Sequence, residues 1–240
     1  PDGHPLSVDR QGAFWQEAER QGLHRRVRIM PARVAAASEI ERFHDTSHVS
    51  LVASKNEGGD YLDYGDTPAF PGVYDAGAAV VGAALDGLEM VMSGKARRTF
   101  QPIGGLHHAR RDASAGFCVF NDLGVVIDTL RRQYGVQRIA YVDIDVHHGD
   151  GVFYAFEADP DLIFADIHED GRYLYPGTGH AHETGRGEAV DLIDPQTCIG
   201  QRPTAGLRHQ RIGRRVGDRA HFGQGDSCNR DTPLHRMDSS

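Results

Sequence analysis

The chain is predicted to be an α/β protein, with a parallel sheet layered against helices. Three observations predict it. Residues 138–144 (Arg-Ile-Ala-Tyr-Val-Asp-Ile) and 161–167 are short apolar runs suited to strands. Residues 72–92 and 121–134 carry helical patterns of the length that crosses between parallel strands. The chain alternates between the two kinds of segment, which is the pattern of a layered parallel sheet.

The elements follow in order. A helix is expected over 7–23, with Phe14, Trp15 and Ala18 as its apolar stripe. A short helix is expected over 38–43, because Ser38-Glu39-Ile40-Glu41 has capping-box spacing. Residues 58–71, rich in Gly, Pro, Asp and Tyr, should be a long loop. The 72–92 helix is small and apolar on nearly every side, so it should be buried, and Gly94 stops it. Residues 99–103 are expected to form a strand leading into Gly104-Gly-Leu-His-His108. The 121–134 helix should bury Leu123, Val126, Ile127 and Leu130 and stop at Gly135.

The length of 240 residues suits one large domain or two small ones. A hydrophobic share of 39%, with 29 glycines, excludes disorder over the whole chain. No run is long and apolar enough for a membrane span, and no secretory signal is visible. Pro1 stands where Met is usual, which suggests a processed chain or a fragment. Cys118, Cys198 and Cys228 lie far apart, which fits a reducing cytoplasm rather than a disulfide framework. A net charge of −8 argues against direct nucleic-acid binding. The 14 histidines are the more telling feature, since imidazole is the commonest metal ligand and general base. Residues 1–189 are expected to be the α/β domain. Residues 190–240, poor in apolar residues and without periodicity, are expected to be a disordered or non-native tail, from truncation or a shifted reading frame.

The chemistry concentrates in Tyr141-Val-Asp-Ile-Asp-Val-His-His-Gly-Asp150. Strand alternation puts Asp143, Asp145 and His147 on one face, and Val142, Ile144 and Val146 on the other, where helices should pack. Carboxylates and an imidazole at the carboxyl end of a parallel strand suit a divalent cation, Zn²⁺ or a similar metal. An internal salt-bridge network is the plainer alternative. Adjacent His107 and His108 in a Gly-rich turn suit proton transfer beside such an ion, with Asp143 and Asp150 orienting the rings; an exposed histidine pair is the plainer alternative.

Four motifs carry a resemblance. Gly104-Gly-Leu-His-His-Ala109, Gly116-Phe-Cys-Val-Phe-Asn-Asp122, Val142-Asp-Ile-Asp-Val-His-His-Gly-Asp-Gly151 and Tyr175-Pro-Gly-Thr-Gly179 resemble, in order and interval, the zinc-dependent histone deacetylase family. That family includes bacterial histone deacetylase-like amidohydrolases and acetoin-utilisation proteins. The resemblance runs from about His4 to about Glu188. It implies the three-layer arginase–deacetylase fold, a parallel sheet of about eight strands with helices on both faces, incomplete at the C-terminus. It implies Asp145 and His147 as ligands of Zn²⁺ (Fe²⁺ also accepts them). It implies His107 with Asp143, and His108 with Asp150, as the catalytic groups. It implies that a metal-bound water attacks an acyl-lysine amide. It implies Gly116, Phe117 and Tyr175 at a lysine channel, with Asp66 at its rim. A structural K⁺ is implied on Asp143, Asp145, His147, Asp166 and Ile167. The expected partners are an acetylated lysine protein or acetylated amine, with homo-oligomers from exposed fold edges and no membrane. Phe117 and Tyr175 as core aromatics, and Asp66 as a turn residue, are the plainer alternatives.

Two family motifs are missing, the downstream Asp of the third metal ligand and the late Gly-Gly-Tyr. All eight tyrosines lie at or before Tyr175. His209, His221, His235, Asp218, Asp226, Asp231 and Asp238 lack the matching surroundings. A non-catalytic binding protein of the same fold is therefore the alternative function, and a binuclear manganese ureohydrolase a more distant one.

Overall fold

A computed structural model describes residues 9–180 together with 182 and 183. The expectations at His4 and Glu188, at the histidines and aspartates named after residue 200, and for the tail 190–240 lie outside the described residues.

Helix α1 spans Asp9–Arg20 and buries Ala18, while Phe14 packs on Phe100 with ring centres 5.9 Å apart. A 3-10 turn follows at Leu23–Arg25. Helix α2 is only Ala37–Ile40. Its first turn is set differently from the expectation. Ala36 begins the helix, and the Glu39 carboxylate accepts from the Ala36 N–H at 2.9 Å. Ser38 is inside the helix because the Ala35 N–H, donating to the Ala78 carbonyl at 2.9 Å, fixes where the chain enters. Helix α3, Thr46–Ser54, has no counterpart in the sequence reading; nine residues with buried His48, Val49 and Val52 are too few for a clear period.

Helix α4 spans Val73–Met92. It buries one stripe (Val73, Gly77, Ala78, Val81, Gly82, Leu85) rather than all sides, and Ala76 is exposed. Gly82 permits the closest approach in this layer: a Cβ there would sit 2.0 Å from the Arg33 carbonyl oxygen. Helix α5, Asp122–Tyr134, is capped by the Asn121 side chain, which accepts from the Gly124 N–H at 2.9 Å, and ends at Gly135. Its buried face is turned from the one expected, towards Val125, Ile127 and Thr129, with Leu123, Val126 and Leu130 only half-buried. Asp122 and Asp128 take buried positions because each has partners there.

Strand β1 (Ile139–Asp143), helix α6 (Asp150–Phe156) and strand β2 (Leu162–Asp166) form a β–α–β unit. The strands are parallel, with Ile139 opposite Leu162 and Asp143 opposite Asp166. Phe120, fully buried, shares the core with Val52, Val73, Val81, Val125, Val152 and Leu162. Burying one such side chain contributes roughly 1.5–3 kcal/mol.

Two expectations change. Of the expected sheet of about eight strands, the described residues contain two, parallel as expected. Residues 99–103 form no strand among them; a strand needs a ladder partner, and Phe100 is 78% exposed. The far face of β1 is uncovered, with Val142, Ile144 and Val146 at 68%, 83% and 54% exposure, so the helices expected to pack there are not among the described residues.

Candidate active site

The site is built where β1, β2 and the turn before α5 meet. The Gly104–His108 turn is held from α5. The Asp122 carboxylate, buried at the helix N-terminus, accepts from Leu106 N–H at 2.8 Å and from Gly105 N–H at 3.1 Å. Burial raises the Asp122 pKa, and these backbone donors work against that rise. The Asn121 side-chain amide donates to the Ala109 carbonyl at 2.9 Å. Gly151, at the start of α6, completes the seat: a Cβ there would meet the carbonyl oxygens of His107 and Ala109 at 2.5 Å.

Both histidines are buried. His107 Nδ1 is 2.7 Å from Asp143 Oδ2, and His108 Nδ1 is 2.7 Å from Asp150 Oδ1. Acceptor carboxylates place the ring protons on Nδ1, which turns both Nε2 atoms inward, 3.1 Å apart. Burial disfavours the charged form of His107. The hydrogen bond and field of Asp143, with the charges of Asp145 and Asp166, outweigh burial and raise its pKa. Burial likewise pushes Asp143 up, but donors from His107 and Tyr141 hold it at about 2. The Tyr141 hydroxyl donates to the same Oδ2 that receives His107. Asp150 has a second donor, Arg110 Nη2 at 3.3 Å.

Asp145 and His147 do not continue the strand. β1 ends at Asp143, and the chain folds into successive side-chain-capped turns: Asp143 Oδ1 accepts from Asp145 N–H at 2.9 Å, and Asp145 Oδ1 from His147 N–H at 2.8 Å. The shared strand face expected for the three residues is thus replaced by a bend. The bend still brings His147 to the site, its ring 5.7 Å from that of His108 and its Nδ1 2.8 Å from Asp145 Oδ1. No group of three or more His, Cys, Asp or Glu is placed to hold a metal among the described residues.

Tyr175 stands edge-on to His108 at 5.0 Å. Gly116 lies between them at φ +55°; a Cβ there would be 2.6 Å from the His108 ring and 2.8 Å from that of Tyr175. Phe117 follows at φ +67°, a left-handed conformation unusual for a large side chain. Asp66 reaches the same turn by accepting from the Gly116 N–H, and Asp63 beside it drives the Asp66 pKa up to about 6. Asp166 accepts from Gly149 N–H at 2.8 Å through Oδ2, while its buried Oδ1 has no hydrogen-bond partner, though His168 Nδ1 is 3.1 Å away. Ile167 N–H donates to the Asp143 carbonyl at 3.1 Å.

Asn121, Asp122, Tyr141 and Thr67 have no assigned part in the sequence reading. Asn121, Asp122 and Tyr141 sit inside segments singled out there, and that is the one signal that pointed to them.

Residues 4–203 match the model of the histone deacetylase domain. The chain is 40% identical over 168 residues to the acetoin utilization protein AcuC of Bacillus subtilis (strain 168), covering 67% of this chain and 43% of that protein. It is 37% identical over 178 residues to histone deacetylase 8 of Xenopus tropicalis, covering 71% and 48%. The crystal structure of the HDA15 HD domain superposes with a TM-score of 0.71 at 28% identity, over 78% of this chain and 54% of that one. The chain spans about half the length of the curated relatives it matches.

Proposed function

The chain belongs to the histone deacetylase family, and on that premise we propose that it is an amidohydrolase that removes acetyl groups from lysine side chains or related amines. One observation carries the reading: two buried imidazoles, each backed by its own carboxylate at 2.7 Å, face each other through Nε2 atoms 3.1 Å apart. A single proton between those nitrogens satisfies both. His107, with its raised pKa, is the member that holds it. When the attacking water replaces that proton as the partner of its Nε2, His108, beside Tyr175 and His147, is the base that takes a proton from the water as it adds to the acyl carbonyl. The same proton passes to the amine nitrogen as the C–N bond breaks, leaving acetic acid, which keeps the second proton of the water, and a free amine.

The family is generally zinc-dependent. Asp145 and His147 offer the carboxylate and imidazole that Zn²⁺ or Fe²⁺ accepts, but two donors do not close a catalytic site. No step above is therefore routed through a metal; a third ligand has to come from outside the described residues. Asp166 Oδ1, buried on the residue that pairs with Asp143 across the strands and 3.1 Å from His168 Nδ1, is an oxygen that supports the K⁺ site. Asp66, Gly116, Phe117 and Tyr175 form the proposed substrate entrance, and the buried Cys118 thiol is compatible with a cytoplasmic setting.

The test is metal analysis of the purified chain together with turnover of an acetyl-lysine peptide. Bound zinc or iron, and a loss of at least about 10²-fold in His108→Ala, are expected. Peptide binding with neither metal nor turnover would instead establish the non-catalytic binding protein.

A further inference from the structure

We propose that Thr67 is a positioning residue, whose hydroxyl ties the rim loop carrying Asp66 to the wall turn carrying Phe117. The substrate side of this inference rests on the deacylase reading; the tie itself does not. Thr67 is 1% exposed although it lies in a long loop. Its hydroxyl is used in both directions: Oγ1 donates to Asp63 Oδ2 at 2.5 Å and accepts from Phe117 N–H at 3.0 Å. A second carboxylate oxygen, Asp66 Oδ1, is 3.3 Å away, but a hydroxyl has one proton and Asp63 is closer. Asp63 is anchored in turn, since its Oδ1 accepts from the N–H groups of Gly65, Asp66 and Thr67 at 3.0, 3.0 and 2.9 Å.

The far end of the tie is the strained one. Ala115 and Cys118 close a tight turn through reciprocal hydrogen bonds at 3.2 and 2.8 Å. Its central residues, Gly116 and Phe117, have φ of +55° and +67°. Glycine takes that conformation freely. Phenylalanine does not, and such a residue persists only where its surroundings over-determine it. The Thr67 hydroxyl is a fixed acceptor aimed at the Phe117 amide, and the Gly116 amide is held by Asp66 in parallel. Rim carboxylate and wall aromatic are thereby set in one register by a buried hydroxyl.

Amide hydrogen exchange of Phe117 in the full chain, read by NMR, tests the tie without needing turnover. Thr67→Val keeps the shape and removes the acceptor; Thr67→Ser keeps the acceptor. Exchange at Phe117 is expected to speed at least about tenfold in Thr67→Val and to stay near the unaltered rate in Thr67→Ser, with Val125 unchanged in both. For an acetyl-lysine peptide, KM is expected to rise about tenfold in Thr67→Val, with kcat within about twofold. Unchanged Phe117 exchange in Thr67→Val overturns the tie. Fast exchange with an unchanged KM overturns its role at the entrance. If the unaltered chain neither binds nor turns over the peptide while the exchange pattern holds, the tie stands and the deacylase reading falls.

Discussion

Among the described residues, two of the pairs formed by buried histidines have opposite surroundings. His44 and His48 lie in the helical layer, ring centres 5.1 Å apart, against Phe43 and Phe120. Their hydrogen bonds go to the main chain. His44 Nε2 accepts from Asn121 N–H at 2.8 Å and its Nδ1 faces the Arg111 carbonyl; His48 Nε2 faces the Val119 carbonyl at 3.1 Å. Among the described residues no carboxylate hydrogen-bonds to either ring, and burial lowers both pKa values, that of His44 to about 3, against the more distant Asp112 and Asp45 charges at His48. His107 and His108 are almost as buried, yet each has a carboxylate at 2.7 Å, and the pKa of His107 is raised. Burial alone therefore does not decide whether a histidine works. The partner of its far nitrogen does.

The largest break in this contrast comes from removing a carboxylate. Asp150→Asn leaves the shape and takes away the acceptor that holds the His108 proton on Nδ1. Turnover of an acetyl-lysine peptide is expected to fall by roughly 10³–10⁴, the scale seen when an orienting carboxylate becomes an amide and the ring adopts the wrong tautomer. A loss under tenfold would mean that the carboxylate does not set the tautomer.

The quiet pair should reveal itself in acid. His44 is near 3 when folded and near 6.5 when unfolded, so between those values the unfolded chain binds the extra proton. The stability from His44 is thus full above about pH 6.5 and is lost as pH falls, by about 1.4 kcal/mol for each pH unit inside the window. Burial is the main cause; the nearby His48 and Arg111 charges add to it, and the Arg111 and Arg110 carbonyls oppose it. Urea unfolding at pH 7, 5.5 and 4.5 should show a steeper decline in the unaltered chain than in His44→Gln, by one proton. Parallel declines would place the acid sensitivity elsewhere.

The contrast also marks what the sequence could show. Strands 138–144 and 161–167, and the long helices around them, are written in local periodicity, and β1, β2, α4 and α5 appear within a few residues of expectation. The pairing of each histidine with its aspartate is what the family resemblance implies, and the chain does bring those four side chains together. Alternation says which residues share a strand face but not what covers it, which is why Val142 and Ile144 emerge exposed. Residues 99–103 lack a ladder because a strand is a property of its neighbour as much as of itself. The supporting roles of Thr67, Asn121, Asp122 and Tyr141 are not legible for a different reason. Three of them hold main-chain groups 12 to 50 positions away, and no local pattern records which distant amide or carbonyl will arrive; Tyr141 reaches only two positions, to Asp143, but its partner is shared with His107.

Arg110 supplies the finest adjustment of the comparison. It is the donor on Asp150 that has no equivalent at His44 or His48, and it poses the question of which partner holds that carboxylate. Its Nη2 is 3.3 Å from Oδ2, while His108 takes Oδ1 at 2.7 Å. The arginine side chain is 54% exposed and the aspartate is buried, so water screens one end of the pair. Asp150 is also seated at the start of α6, where a negative charge is favoured without help. Arg110→Gln should therefore cost less than about 1 kcal/mol in urea unfolding and change turnover by no more than about threefold. If Arg110→Gln instead loses turnover on the scale of Asp150→Asn, the arginine and not the histidine fixes the carboxylate, and the distinction between the two histidine pairs shifts from the partner of the ring to the partner of that partner.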